Sequence, residues 1–250
     1  MSMRVLISGG ASGIGRASAE LLGERGHSVG LLDRNEGLLA NVVADLTAAG
    51  VGATGAAADV TDALAVERAV STIAGSLGGL DGLVAAAGIG GYTGDVTETE
   101  IDAWSRVISI NLTGVFNVCR AVVPVMRQSG GGAIVNISSQ FGLVGCLASP
   151  AYCAAKAGVV GLTKAMAVDH AKDVIRVNCV CPGPVDTPML TSGESSKYAA
   201  AEDERARLRM PLARHAQPGE IAATIAFLLS DEASYLTGSI VSVDGGWMAA

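Results

Sequence analysis

Short apolar runs recur along this chain, separated by stretches whose apolar positions repeat at helical spacing. The first run, residues 4–8, leads through a glycine-rich turn into a helical pattern over 16–25. A second apolar run over 28–32 ends in Asp33, and a helix is predicted over 36–48. A third run, 52–58, ends in Asp59 and precedes a helix over 63–76; a fourth, 82–86, ends at Ala87-Gly88. Long helical patterns over 104–126 and 151–168 flank a buried run at 133–137. Strands and helices alternating at this length make right-handed βαβ units and a parallel sheet. The expected fold is α/β, a Rossmann-type doubly wound sheet. No Pro- or Ser-rich linker divides the chain, so one domain is expected over 1–250.

Composition narrows the class. Half the residues are apolar but only 4% are aromatic, and 33 are glycine, which suits helices packed closely on a parallel sheet. The net charge of −7 and the lack of a basic patch weigh against nucleic acid as a partner. Neither a signal-peptide core nor an unbroken apolar stretch of bilayer length is visible, so no membrane partner and a cytoplasmic location are expected. Cys119, Cys146, Cys153, Cys179 and Cys181 lack paired spacing with His27, His170 or His215, so no metal site and no catalytic thiol are expected. Cys179 and Cys181 alternate along a strand and point to one face, as buried thiols would.

Two stretches carry chemistry. In the first, Gly9-Gly10-Ala11-Ser12-Gly13-Ile14-Gly15 joins a strand to a helix. Such a turn lets the backbone approach a pyrophosphate and sets that phosphate at the helix N-terminus. Asp33 follows about twenty residues later, where an acid receives the adenosine ribose hydroxyls. Asp59 and Val60 sit at a strand carboxyl end, the edge where parallel sheets bind ligands. Asp59 is a candidate for the adenine and equally for a helix N-cap, a role for which Asp62 competes.

The second stretch runs from Ser139 to Lys156. Tyr152 and Lys156 are four apart, on one face of a helix, and the strand-end hydroxyl of Ser139 precedes them. A phenol, an ammonium and a hydroxyl suit proton transfer at a carbonyl or alcohol oxygen. A free tyrosine has a pKa of about 10. An ammonium about 5 Å away would favour the phenolate by about 3 kcal/mol at an effective dielectric of about 20. That brings Tyr152 close to a useful acid and base, with Ser139 steadying the substrate oxygen. Y-x-x-x-K alone is a common spacing; its context gives it weight.

With these motifs in order, the chain resembles the short-chain dehydrogenase/reductase family along nearly its whole length. Ser8-Gly9-x-x-x-Gly13-Ile14-Gly15 resembles the family's T-G-x-x-x-G-I-G. Asn111 matches its helix asparagine, and Ser139, Tyr152 and Lys156 match its catalytic set. The segment from Pro182, Gly183 and Pro184 through Val185 and Asp186 to Thr187 resembles its P-G-x-x-x-T, and Val243-Asp244-Gly245-Gly246 its C-terminal turn. One departure stands out: Ala85-Ala86-Ala87-Gly88 replaces N-N-A-G, which would loosen the ties between central strands. The resemblance implies that Lys156 also holds the nicotinamide ribose, that Asn111 serves a proton relay, that Thr187 touches the carboxamide side, and that the protein is a homotetramer.

Asp33 argues for NAD over NADP, because a carboxylate would repel a 2′-phosphate. Ser12 stands where NADP-using relatives often carry a basic residue, and Arg34 is read as solvated. The expected activity is hydride transfer between NAD and a secondary alcohol or ketone. The alternatives are an NADP-dependent ketoreductase of carrier-bound 3-oxoacyl groups, an epimerase or dehydratase that keeps its NAD, and a vestigial dinucleotide-binding regulator. Pocket walls are expected from Tyr92, Gln140, Phe141, Leu147, Met189 and Leu190, almost free of charge, with residues 184–218 forming a lid. The small-molecule partner should therefore be a neutral, mostly hydrocarbon alcohol or ketone, with a cyclic or aryl-alkyl compound favoured.

Overall fold

A computed structural model describes residues 2–91, 93–191 and 210–249. Seven parallel strands form one sheet in the order β3-β2-β1-β4-β5-β6-β7. They are β1 (Arg4–Ser8), β2 (Ser28–Asp33), β3 (Ala53–Ala57), β4 (Gly82–Ala85), β5 (Gly132–Ile137), β6 (Ile175–Pro182) and β7 (Ile240–Val243). The helices on its two faces are α1 (Gly13–Glu24), α2 (Glu36–Ala48), α3 (Ala63–Leu77), α4 (Ile101–Ile108), α5 (Gly114–Ser129), α6 (Pro150–His170) and α8 (Pro218–Leu229). The four-residue α7 (Pro188–Thr191) follows β6. The strand order turns back between β1 and β4, and the cleft outside their carboxyl ends is where such a sheet takes its ligand.

Both sheet faces are dry. Leu6, Leu83, Ile134, Val177 and Cys179 face α3, α5 and α6, while Val5, Ile7, Val84, Val135 and Val180 face α1, α2 and α8. Burial of both faces explains why the strands read as unbroken apolar runs rather than alternating ones.

α4 and α5 are joined by a π-helical turn, Ser109–Thr113, into a run from Ile101 to Ser129. The run is long and apolar enough to cross a membrane, yet half of its most apolar stretch is buried within the protein. Val118, Val122 and Met126 belong to the core that α3 shares.

The missing asparagines at 85 and 86 have a local replacement. Asn136 on β5, directly beside Ala85, donates to the Thr163 hydroxyl at 3.0 Å and accepts from the Cys119 thiol at 3.4 Å. The central strands are thus tied to α5 and α6 from β5, and the buried amide keeps its partners.

Candidate active site

The glycine turn is shaped by steric necessity. Gly9 has φ +70°, and a Cβ there would lie 2.8 Å from the Ala87 backbone, so a side chain would push β1 and β4 apart at the switch point. A Cβ on Gly15 would run into the carbonyl of Gly9. Gly13 (φ +52°) faces Thr187, whose Cγ2 would be 3.3 Å from such a Cβ, so the segment after β6 reaches the turn. Ser8 is buried, and its hydroxyl accepts from the Ala87 N–H at 3.5 Å. Ile14 packs on the core beneath.

Ser12 is the N-cap of α1, but its side chain makes no capping bond. The N–H groups of the first turn therefore stay free of a side-chain cap, as an anion site needs. Asp33 turns its carboxylate back over this turn, accepting from Ala11 N–H at 3.1 Å and Asn35 N–H at 3.0 Å. Close backbone approach, an uncapped helix end and an acid at the end of β2 fit a nicotinamide dinucleotide. Asp59 does not cap α3; Asp62 does, accepting from Leu64 and Ala65 N–H. Asp59 instead closes a turn onto Thr61. Val60 is buried, and its carbonyl accepts from Asn117 at 2.8 Å.

Ser139 follows β5 by one residue and opens a short 3-10 turn, its hydroxyl accepting from Phe141 N–H at 3.2 Å. Pro150 starts α6 at a position where its missing N–H costs nothing. Tyr152 and Lys156 then fall on the same face, with Nζ 5.7 Å from the phenol ring centre. The Ser139 hydroxyl neighbours the Tyr152 phenol and favours its charged form. Lys156 is buried and donates to the Ile137 carbonyl at 3.0 Å. Gly88 lies over this group: a Cβ on it would be 3.6 Å from Nζ and 2.9 Å from Asn111 Oδ1. The side chain of Asn111 is committed to the backbone of Ile89, accepting from its N–H at 2.8 Å and donating to its carbonyl at 3.0 Å. It sits in the π turn, a distortion that often marks working sites.

The expected charge balance is reversed in the protein alone. Burial pushes the Tyr152 phenol up to about 12, against the smaller opposing pull of the Ser139 hydroxyl. Burial likewise lowers Lys156 to about 8. Loss of water outweighs the attraction that the spacing suggested, because both charged forms are disfavoured together.

Toward the substrate side, Leu143, Val144, Leu147, Met189 and Leu190 are 37–44% exposed, grouped in two short segments. Met189 faces Gly90, and Phe141 is held edge-on by Trp247 at 5.7 Å. Gln140 is 1% exposed; its amide lies against Gly183 instead of facing the cleft. Gly183 donates to the Val243 carbonyl, Pro182 pairs with Val243, and Val185 bridges to Ala216, which pins both ends of the 184–218 segment. Tyr92 and residues 192–209 lie outside the described residues.

Three contributors were not singled out from the sequence. A Cβ on Gly91 would lie 2.8 Å from the Cβ of Tyr152, so the loop after β4 needs glycine there. Ala148, at φ +52°, accepts from Thr93 N–H at 2.9 Å and joins two loops above the site. Trp247 is the third. The glycine-rich run 88–91 signalled the first; nothing local signalled the others.

The fold and this constellation define a nicotinamide-dependent oxidoreductase. A family model described as enoyl-(acyl carrier protein) reductase matches residues 9–248. The chain is 44% identical to cis-4-hydroxycyclohexanecarboxylate dehydrogenase of Sinomonas cyclohexanicum, over 98% of this chain and 96% of that protein. It is 40% identical to cyclohexanol dehydrogenase of Acinetobacter sp. strain SE19, over 97% and 93%. The crystal structure of levodione reductase superposes with a TM-score of 0.93 at 37% identity, covering 99% of this chain and 98% of that one. The protein belongs to the short-chain dehydrogenase/reductase family, and its reaction is hydride transfer at a secondary alcohol or ketone.

Proposed function

We propose that the preferred cofactor is NAD and that the preferred substrate is a neutral, largely hydrocarbon secondary alcohol or ketone, cyclic in form. The observation that carries the substrate half is the wall beside Ser139 and Tyr152: residues 140–147 and 188–191 contain no charged side chain and expose five large apolar ones. Relatives named for cyclohexanol and levodione support the ring. Asp33, oriented over the glycine turn, carries the cofactor half.

In this reading the glycine turn and the start of α1 hold the pyrophosphate, Asp33 the adenosine ribose, Lys156 the other ribose, and Val185 and Thr187 the carboxamide side. The bound dinucleotide supplies or accepts the hydride. Tyr152 gives its proton to the ketone oxygen, or takes one from the alcohol, while Ser139 donates a hydrogen bond to the same oxygen. Asn111 holds Ile89 and with it the loop above Lys156. Residues 184–218 act as a lid that excludes water.

The test is kcat/KM for cyclohexanol, for cis-4-hydroxycyclohexanecarboxylate and for a 3-oxoacyl thioester, each with NAD(H) and NADP(H). The neutral ring with NAD should lead. A lead for the carboxylate would place an unseen cation in the pocket; a lead for the thioester with NADPH would favour the carrier-linked ketoreductase, which the family model's description and a 39% identical 3-oxoacyl-[acyl-carrier-protein] reductase of Thermotoga maritima keep as the second reading.

A homotetramer belongs to the same proposal. Ile101, Trp104 and Phe116 on α4 and α5 are exposed apolar side chains with room for partner helices. Light scattering at micromolar concentration should return about four times the 25.0 kDa chain mass. A cytoplasmic location accords with the buried, unbridged thiols of Cys119, Cys179 and Cys181.

A further inference from the structure

Arg34 and Asp59 leave neighbouring strands on the ligand side of the sheet. β2 and β3 pair with Asp33 opposite Ala57, and Ala58 N–H donates to the Asp33 carbonyl at 3.0 Å. Arg34 follows Asp33 directly and Asp59 follows the buried Ala58, so both side chains leave adjacent strand ends, and both are exposed. The Asp59 carboxylate is oriented by one oxygen: Oδ1 accepts from both the N–H and the hydroxyl of Thr61 at 2.8 Å. Its second oxygen has no hydrogen bond among the described residues. Those two Thr61 bonds hold Asp59 below the usual carboxylate range, and the charge of Arg34 adds to the effect. Arg34 itself makes no hydrogen bond or contact ion pair among the described residues, and its charge reaches Asp59 through space. Asp33 is tied to Ala11 and Asn35, not to Arg34.

An arginine next to Asp33 would ordinarily weaken the case for NAD, since a guanidinium can grip a 2′-phosphate. We propose that Asp59 is a second determinant of cofactor choice, drawing the Arg34 guanidinium toward the end of β3 so that it is not offered to a 2′-phosphate beside Asp33. This rests on the NAD reading given above. Discrimination against NADP is then shared: Asp33 repels the phosphate, and Asp59 removes its one local partner.

The experiment is a double-mutant cycle read by binding. Dissociation constants for NADH and NADPH are measured by fluorescence titration for the unaltered protein, Asp59→Asn, Arg34→Ala and the double variant. The quantity followed is the ratio of the NADPH constant to the NADH constant, in which any adenine contact common to both cofactors cancels. Asparagine keeps the oxygen that accepts from Thr61, so the turn is preserved. Asp59→Asn should lower the ratio roughly three- to tenfold, the scale of one exposed charge pair, and the double variant should lose that gain. An unchanged ratio in Asp59→Asn, or an equal gain with Arg34 absent, would overturn the proposal. Failure of the NAD reading shows elsewhere: the unaltered protein would then bind NADPH at least as tightly as NADH.

Discussion

The two sides of the ligand edge are built by different means. From β1 to β3 the site is mostly backbone: Gly9 and Gly15 are forced by contacts with Ala87 and with Gly9 itself, and Asp33 is aimed by two N–H groups. From β4 to β6 it is mostly side chains brought across loops: Asn111 on Ile89, Trp247 on Phe141, Lys156 on the Ile137 carbonyl. Backbone sites depend on which residue is absent, and a missing Cβ is visible as a glycine at fixed spacing. Side-chain sites depend on which loops meet, and that is settled only by the fold.

The largest effect should separate these two sides. Tyr152→Phe keeps the ring in contact with Gly91 and removes only the hydroxyl, so kcat should fall at least ~100-fold. NADH binding should change by less than about twofold, because the cofactor side is untouched. Lys156→Ala should damage both, since one ammonium serves Tyr152 and the nicotinamide ribose. Stopped-flow rates alongside fluorescence titration measure each half. A phenylalanine variant retaining more than a few per cent of kcat/KM would break the assignment of Tyr152.

The contrast also explains what could be read before the structure. The bounds of β1 and α2 are those the apolar pattern gives, because each ends at a residue with an unambiguous job: Ser8 before the glycines, Asn35 capping α2 through Leu38 N–H. α1 starts three residues earlier than its pattern suggests, since Gly13 is already its first turn. The segment expected at 104–126 extends to both sides and holds a π turn, which apolar periodicity does not register. Ser139, Tyr152 and Lys156 converge as their spacing implies. The direction of the Tyr152 shift was not legible, because burial is a property of the packed molecule: Gly91 comes against the Tyr152 side chain from the loop after β4, far away in sequence. For the same reason Gln140 faces Gly183 and not the cleft. Its place beside Ser139 said nothing of the space beneath.

The smallest effect concerns pH, and it tests whether the catalytic side answers to burial. In the protein alone the phenol, near 12, keeps its proton throughout the neutral range, so a proton donor for ketone reduction is always present. When that proton leaves, the phenolate it creates is stabilised by Lys156 only while the lysine is charged. Lys156 has fallen to about 8 through burial. Reduction should therefore hold steady below pH 8 and decline above it, by up to about tenfold per unit. Oxidation runs the other way: it needs the phenolate, whose share grows with pH, so kcat/KM for the alcohol should rise from pH 6 and flatten once the lysine charge is lost. The two limbs belong to Tyr152 and Lys156 as a pair and should be fitted together. Profiles of kcat/KM from pH 6 to 10 in both directions provide the measurement. A reduction rate that stayed level to pH 10 would mean that Lys156 keeps its charge when cofactor is bound, and that an anion or dipole supplied by the dinucleotide, not the buried pocket alone, sets the proton affinity of the site.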